Sequence, residues 1–205
     1  MEGYWCYWHG GKGYSGVALQ VRKDIAPARP AFAHPAFDYE HRAVTVDLVT
    51  DVGDVTVASI YVPNGGKDFP AKMRFLEALD AYVRSFQGTN RALVVCGDLN
   101  IARTDMDVHP KERKPRAIGQ LPEERAQLER LIGYGLVDVG RALEPDNDQM
   151  FTWWAPWRNM RQRNIGWRLD YVLASQPIFD TVQSCVIQRE FGTSDHGPVI
   201  AAFGL

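Results

Sequence analysis

Four short stretches of this 205-residue chain put acids, amides and an imidazole where apolar runs give way to loops. Cys-Gly-Asp-Leu-Asn at 96–100 follows one such run, so Asp98 and Asn100 face the same side at the two-residue period of an extended chain. Their plainer employment is an Asx turn closing the strand. Ser-Asp-His-Gly-Pro at 194–198 precedes the last apolar run and offers Asp195 and His196. Arg168-Leu169-Asp170-Tyr171 opens another strand with a third acid. Brought up to His196, Asp170 would fix the imidazole tautomer and favour its charged form; its plainer partner is Arg168, in a surface salt bridge. Tyr61, in Tyr-Val-Pro-Asn-Gly-Gly-Lys at 61–67, ends a further strand, with its phenol at the core edge or on a phosphate. Two acid-bearing tetrapeptides, each at a strand end, are the parts from which an acid–base site is assembled.

A second signal is compositional. Residues 151–168, FTWWAPWRNMRQRNIGWR, hold four of the six tryptophans and the arginines Arg158, Arg161, Arg163 and Arg168, with no acid. Aromatic planes between guanidinium groups suit a nucleic-acid groove, the former for stacking and the latter for phosphates. The loop Arg103–Arg116 carries five cations against three acids and is placed to flank the same groove. A net charge of −2 excludes a globally basic nucleic-acid coat but not a basic groove on an acidic body.

Strands are predicted at Gly16–Val21, Ala43–Val49, Val55–Val62, Ala92–Cys96, Leu169–Ala174, Val182–Gln188 and Val199–Phe203, each rich in β-branched residues and bounded by turn formers. Pro70–Phe86 spaces Met73, Leu76, Leu79 and Val83 as an amphipathic helix, and Leu121–Ile132 does so with Leu128, Leu131 and Ile132 behind the first-turn acids Glu123 and Glu124. No repeat or linker divides residues 1–205, so one domain is expected, a mixed sheet sandwich carrying helices. Cys6, Cys96 and Cys185 are odd in number and far apart, which argues against a disulfide framework and for a reducing compartment. No apolar stretch is long enough to span a bilayer, and the N-terminus lacks the order of a signal peptide. A cytoplasmic protein with no membrane partner is expected.

The motifs, taken in order, resemble the exonuclease III type of apurinic/apyrimidinic endonucleases, within the endonuclease/exonuclease/phosphatase fold. They are G-Y-S-G-V-A-L at 13–19, Y-V-P-N-G at 61–65, G-D-L-N at 97–100, L-P-E-E-R at 121–125, F-T-W-W at 151–154, N-I-G-W-R-L-D-Y at 164–171 and S-D-H-G-P-V at 194–199. The resemblance implies a four-layered α/β sandwich of two packed mixed sheets flanked by helices. It implies hydrolysis of the phosphodiester 5′ to an abasic site in duplex DNA with Mg²⁺, or Mn²⁺, together with action at 3′ ends. It implies a usually monomeric protein, associated with the nucleoid in a bacterium. By motif position, Asp98 would activate the attacking water and Asn100 would hydrogen-bond that water or the phosphate. His196 would stabilise the phosphorane, Asp170 would orient and charge His196, and Tyr61 would contact the scissile phosphate. Asp195 would help hold the metal with Asp98 and Asn100. Trp153 and Trp167 would wall the pocket for a flipped sugar without a base. Trp157 and Lys67, beside Asn64, would enter the helix and hold the kink.

The chain also departs from the family pattern. Nothing like L-Q-E-x-K, the strand end that carries the family's principal metal ligand, precedes Gly13, so roughly fifty residues of the pattern are not found and N-terminal strands are expected to be missing. Weaker Mg²⁺ binding and an exposed sheet edge are the expected consequences. Two other functions compete: a nucleic-acid-binding module of this fold with weakened catalysis, and a sister phosphodiesterase or phosphatase. The latter would keep Asp98, Asn100, Asp195 and His196 without the tryptophan cluster.

Overall fold

Residues 2–11 and 13–204 are described by a computed structural model, whose spine is a six-stranded mixed sheet. Its strands are β3 (Phe32–Ala33), β4 (Ala43–Thr50), β5 (Gly53–Tyr61), β6 (Ala92–Asp98), β7 (Leu136–Asp138) and β8 (Asp170–Ser175), in the spatial order β3-β4-β5-β6-β8-β7. Only β5 and β6 run parallel, and the crossover between them is α1 (Phe69–Arg84). Alternation along the strands sends Ala58, Ile60, Leu93, Val95, Tyr171 and Leu173 to one face, where they pack with Phe75, Leu76 and Leu79 of α1 and with Leu128 and Leu131 of α2 (Pro122–Gly133). Each fully buried side chain of this kind contributes roughly 1.5–3 kcal/mol.

The opposite face, carrying Val55, Val94 and Ala174, is covered by α4 (Gln176–Phe179), α3 (Val139–Leu143) and an antiparallel ribbon of β9 (Val182–Ile187) and β10 (Val199–Phe203). A second ribbon, β1 (Tyr4–His9) with β2 (Val17–Arg22), sits against β4 and β5. The layering is that of an α/β sandwich, with one difference from the expected pair of mixed sheets. Among the described residues the second sheet is two separate antiparallel ribbons, because no strand hydrogen-bonds β1–β2 to β9–β10. No described helix is long and apolar enough to cross a membrane. The three cysteines are free thiols.

Two helix details differ from expectation. The buried stripe of α1 begins at Lys72, not Met73, and the first turn of α2 buries Glu124 completely. Asp68 caps α1 by accepting from Ala71 N at 2.8 Å. The segments Tyr4–His9, Phe32–Ala33 and Leu136–Asp138 form strands that the apolar pattern does not announce.

Candidate active site at the ends of β5, β6 and β8

Register does most of the assembly. The parallel pairing sets Tyr61 beside Asp98, and the antiparallel pairing sets Asp98 beside Asp170, so residues from positions 61, 98 and 170 emerge on one edge. Gly97 makes this possible: its φ is +130°, and a Cβ there would stand 2.1 Å from the Ile60 carbonyl oxygen.

Asn100 follows in a left-handed conformation, φ 52°. Its backbone N–H donates to Asp98 Oδ1 at 2.8 Å, so the Asx turn forms as well. The two uses of the motif are one structure, since the same turn aims both side chains into a cleft. Asn100 Nδ2 donates to Asp98 Oδ2 at 2.8 Å and to Val62 O at 2.9 Å, and its Oδ1 accepts from Asn64 Nδ2 at 3.1 Å. Both amide hydrogens are therefore engaged, and the spare capacity of Asn100 is the second lone pair of Oδ1.

His196 Nδ1 lies 2.8 Å from Asp170 Oδ2. The competing salt bridge to Arg168 does not form. Arg168 is buried and donates instead to Asp107 Oδ1 at 2.7 Å and to both carboxylate oxygens of Asp138 at 2.7 and 2.8 Å. Thr152, not singled out by the sequence, accepts the N–H groups of Leu169 and Asp170 at 2.9 and 3.0 Å and so fixes the start of β8. Burial works to lower the His196 pKa, but its hydrogen bond to Asp170 and the charges of Asp170, Asp98 and Asp195 outweigh that and raise it. Asp98 moves the other way for a carboxyl group: burial and the charge of Asp170 push it up to about 7.

The cleft holds about 240 Å³ and is walled by Tyr61, Asp98, Asn100, Trp153, Trp167 and His196, with Asn64 at its rim. Trp153 and Trp167 meet edge to face, ring centroids 5.9 Å apart. Trp153 Nε1 donates to Asp195 Oδ2 at 3.0 Å. Gly166 admits this arrangement, because a Cβ there would stand 2.4 Å from the Trp153 carbonyl oxygen.

The remaining candidates lie beyond that wall, and Asn64 belongs to both the cleft and the hollow next to it. Lys67 and Asn64 line an adjoining hollow with Tyr14 and Arg42. Asp195 is exposed and lines a separate hollow with Trp157, Arg158 and Arg161, and it touches the cleft wall by accepting from Trp153. Arg158 and Arg163 are exposed, and Trp157 is 59% exposed. Arg161, expected at a phosphate, has intramolecular partners in this structure. Its guanidinium donates to the carbonyls of Arg189 at 2.5 Å, Phe191 at 2.9 Å and Ser194, and stacks over Trp154, which ties residues 151–168 to the loop before β10. In the loop Arg103–Arg116, Arg103 is paired with Glu129 and Asp138, and Arg113 donates to two carbonyls, leaving Lys111, Lys114 and Arg116 exposed.

Lys72 is the residue that sequence patterning missed. Its buried ammonium donates to Asn100 O at 2.7 Å and Asn64 O at 3.2 Å and pairs with buried Glu124, so α1 and α2 together hold the floor of the cleft. Its position in phase with Phe75, Leu76 and Leu79 was the available signal.

The donors in the cleft suit a hard dication. Two neighbouring carboxylates, one with its ionisation opposed by burial and by the other, would both gain from a cation at the cleft floor. Asp98 and the free lone pair of Asn100 Oδ1 are the oxygen donors inside the cleft, and Asp195 stands beyond the Trp153 wall as the next one. Among the described residues, the cleft does not gather three carboxylate or imidazole ligand atoms within 4.8 Å of one another.

Comparisons with known proteins show the family and the fold. The sequence pattern of the Endonuclease/Exonuclease/phosphatase family matches residues 2–196. Exodeoxyribonuclease III of Haemophilus influenzae is 32% identical over 216 residues, covering 98% of this chain and 81% of the relative. Recombination repair protein 1 of Drosophila melanogaster is 30% identical over 211 residues; the alignment takes in all of this chain but only 30% of that longer protein. The structure of the 3′ phosphatase NExo from Neisseria, bound to a product DNA hairpin, superposes with a TM-score of 0.87 at 30% identity, over 99% of this chain and 80% of that one.

Proposed function

We propose, because this chain belongs to the endonuclease/exonuclease/phosphatase family, that it is a divalent-metal-dependent DNA-repair nuclease cutting the phosphodiester 5′ to abasic sites and acting on 3′ ends. The observation that carries this reading is the cleft itself, in which a carboxyl near its ionisation point and a carboxylate-held imidazole share walls with two indoles.

The residues divide the work as follows. Asp98, its pKa pushed up to about 7 by burial and Asp170, is matched to taking a proton from water near neutral pH. Asn100 aims that carboxylate through two hydrogen bonds and keeps one lone pair of Oδ1 for either that water or the cation. His196, its Nδ1 held by Asp170, turns Nε2 to the substrate as an imidazolium that meets negative charge developing on the phosphoryl oxygens. Tyr61 donates to the scissile phosphate from the neighbouring strand end. Mg²⁺ or Mn²⁺, held by Asp98, Asn100 and Asp195, would neutralise a phosphate oxygen when bound. Trp153 and Trp167 accept a flipped deoxyribose, and the limited volume between them favours a sugar without its base. Asn64, Lys67, Trp157, Arg158 and Arg163 track the flanking duplex.

A nicking assay tests the reading. The substrate is a duplex with one tetrahydrofuran abasic analogue, run with Mg²⁺, with EDTA and with Asp98→Asn, beside a duplex bearing a 3′-phosphate. Incision at the analogue that disappears with EDTA and with the variant is expected. DNA binding without incision of either substrate makes the chain a binding module and overturns the proposal.

A further inference from the structure

A second cluster of ligand-type side chains lies away from the cleft. His9 on β1, His34 just after β3 and Asp38 in the turn before β4 bring one ligand atom each to within 4.8 Å of one another. We infer that His9, His34 and Asp38 form a binding site for a transition-metal dication of the Zn²⁺ class, which fastens the β1–β2 ribbon to the central sheet.

Geometry carries the inference first. Zn²⁺ bonds nitrogen and carboxylate oxygen at about 2.0–2.2 Å, so two ligands of one ion stand roughly 3–4 Å apart; the widest separation in this trio is within about an ångström of that, and the close His9–Asp38 contact opens to admit the ion. The rings of His9 and His34 have centroids 3.7 Å apart, tilted by 36°, and the ring of His41 stands 4.7 Å from His9 as a third imidazole. Three of the chain's five histidines thus cluster, two of them around one carboxylate, and neutral imidazoles beside a carboxylate are a donor set for a cation.

The surroundings also have the form of supported ligands. Asp38 Oδ1 accepts from Arg42 N at 2.7 Å and Ala43 N at 2.8 Å, which turns Oδ2 to His9. Tyr7 Oη meets His34 Nε2 at 2.6 Å and fixes that ring. Metal-ligating side chains are held in this way by their neighbours. His34 is exposed and opens a route from solvent, while His9 and Asp38 are largely covered. The donor set separates this site from the cleft: imidazole nitrogens select Zn²⁺-like ions, whereas the cleft offers oxygens that suit Mg²⁺.

The test uses the full chain, stripped with EDTA, returned to excess Mg²⁺ to fill the oxygen site, and titrated with Zn²⁺ by calorimetry. One Zn²⁺ per chain is expected. His34→Asn and His9→Gln should each weaken it at least about tenfold, and Asp98→Asn should leave it unchanged. Circular dichroism melts of the stripped variants check that they fold, and Co²⁺ substituted for Zn²⁺ should give tetrahedral visible bands in the wild type that His34→Asn loses. Absence of Zn²⁺ binding overturns the inference. So does binding abolished by Asp98→Asn but indifferent to both histidine variants, which would put the ion in the nuclease cleft.

Discussion

Lys72 Nζ donates to the main-chain carbonyl of Asn100 at 2.7 Å, from a side chain with no solvent exposure that also pairs with Glu124. Burial pulls the Lys72 pKa down and Glu124 pulls it back, so the ammonium depends on its partner. Glu124 Oε2 in turn accepts from Gly119 N at 2.6 Å and Leu121 N at 3.1 Å. Replacing Lys72 by Met leaves a buried carboxylate uncompensated, which costs about 3–5 kcal/mol. Urea denaturation should show that loss for Lys72→Met, and Lys72→Met/Glu124→Gln should regain much of it, because Gln keeps an acceptor for the two N–H groups. A single variant as stable as wild type would refute the account of the pair.

The raised pKa of Asp98 has a sign that stability measurements read directly. Its folded value, about 7, lies above the ordinary 3.8, so the folded protein holds this proton more tightly than the unfolded chain does. The resulting stabilisation is complete below pH 4 and is lost as pH rises to 7, at about 1.4 kcal/mol per unit of pKa difference. In metal-free protein, Asp98→Asn should therefore gain thermal midpoint relative to wild type between pH 5 and pH 8, even as it loses incision. Mg²⁺ should narrow the gap at pH 8 by stabilising wild type alone. A gap independent of pH would sink the assignment.

His196 has the opposite relation between charge and pH. With its pKa raised by Asp170, the imidazolium is present at low pH and is lost as pH passes through the raised value. Asp170→Asn keeps the shape of the contact but removes the charge, so the basic limb of the pH–rate profile should move to lower pH. His196→Ala should reduce kcat by roughly 10²–10³-fold. An unmoved basic limb in Asp170→Asn would remove His196 from that role.

The Asp98–Asn100 turn and the Asp170–His196 pair were legible because short polar motifs at strand ends keep their meaning wherever the strands go. Most strands and both long helices were legible for a similar reason: periodicity is local. Lys72 and Thr152 were not, since their roles depend on carbonyl and N–H groups 28 and 17–18 residues away. Tyr4–His9 carries its aromatics in adjacent pairs and has no β-branched residue, so the period-two signal of a strand is absent until β2 pairs with it. Composition counts Arg161 as a cation in a Trp-rich stretch without seeing the carbonyls at 189, 191 and 194 that engage it.

That contrast separates arginines of one segment by experiment. Arg158 is exposed and its guanidinium has no partner among the described residues, so Arg158→Ala should leave the melting midpoint unchanged and reduce the slope of log K against log salt for duplex binding by about 0.9, one phosphate contact. Arg161→Ala should do the reverse. It removes donors to three carbonyls and a cation–π contact with Trp154, which frees the loop that carries Asp195 and His196. The midpoint should fall, and incision should drop through displacement of His196 with little change in the salt slope. Trp157→Ala, at a residue 59% exposed, belongs with Arg158: full stability, and DNA affinity weaker by roughly 1–3 kcal/mol from lost stacking. A lower salt slope in Arg161→Ala at unchanged midpoint would return that residue to the DNA-facing side.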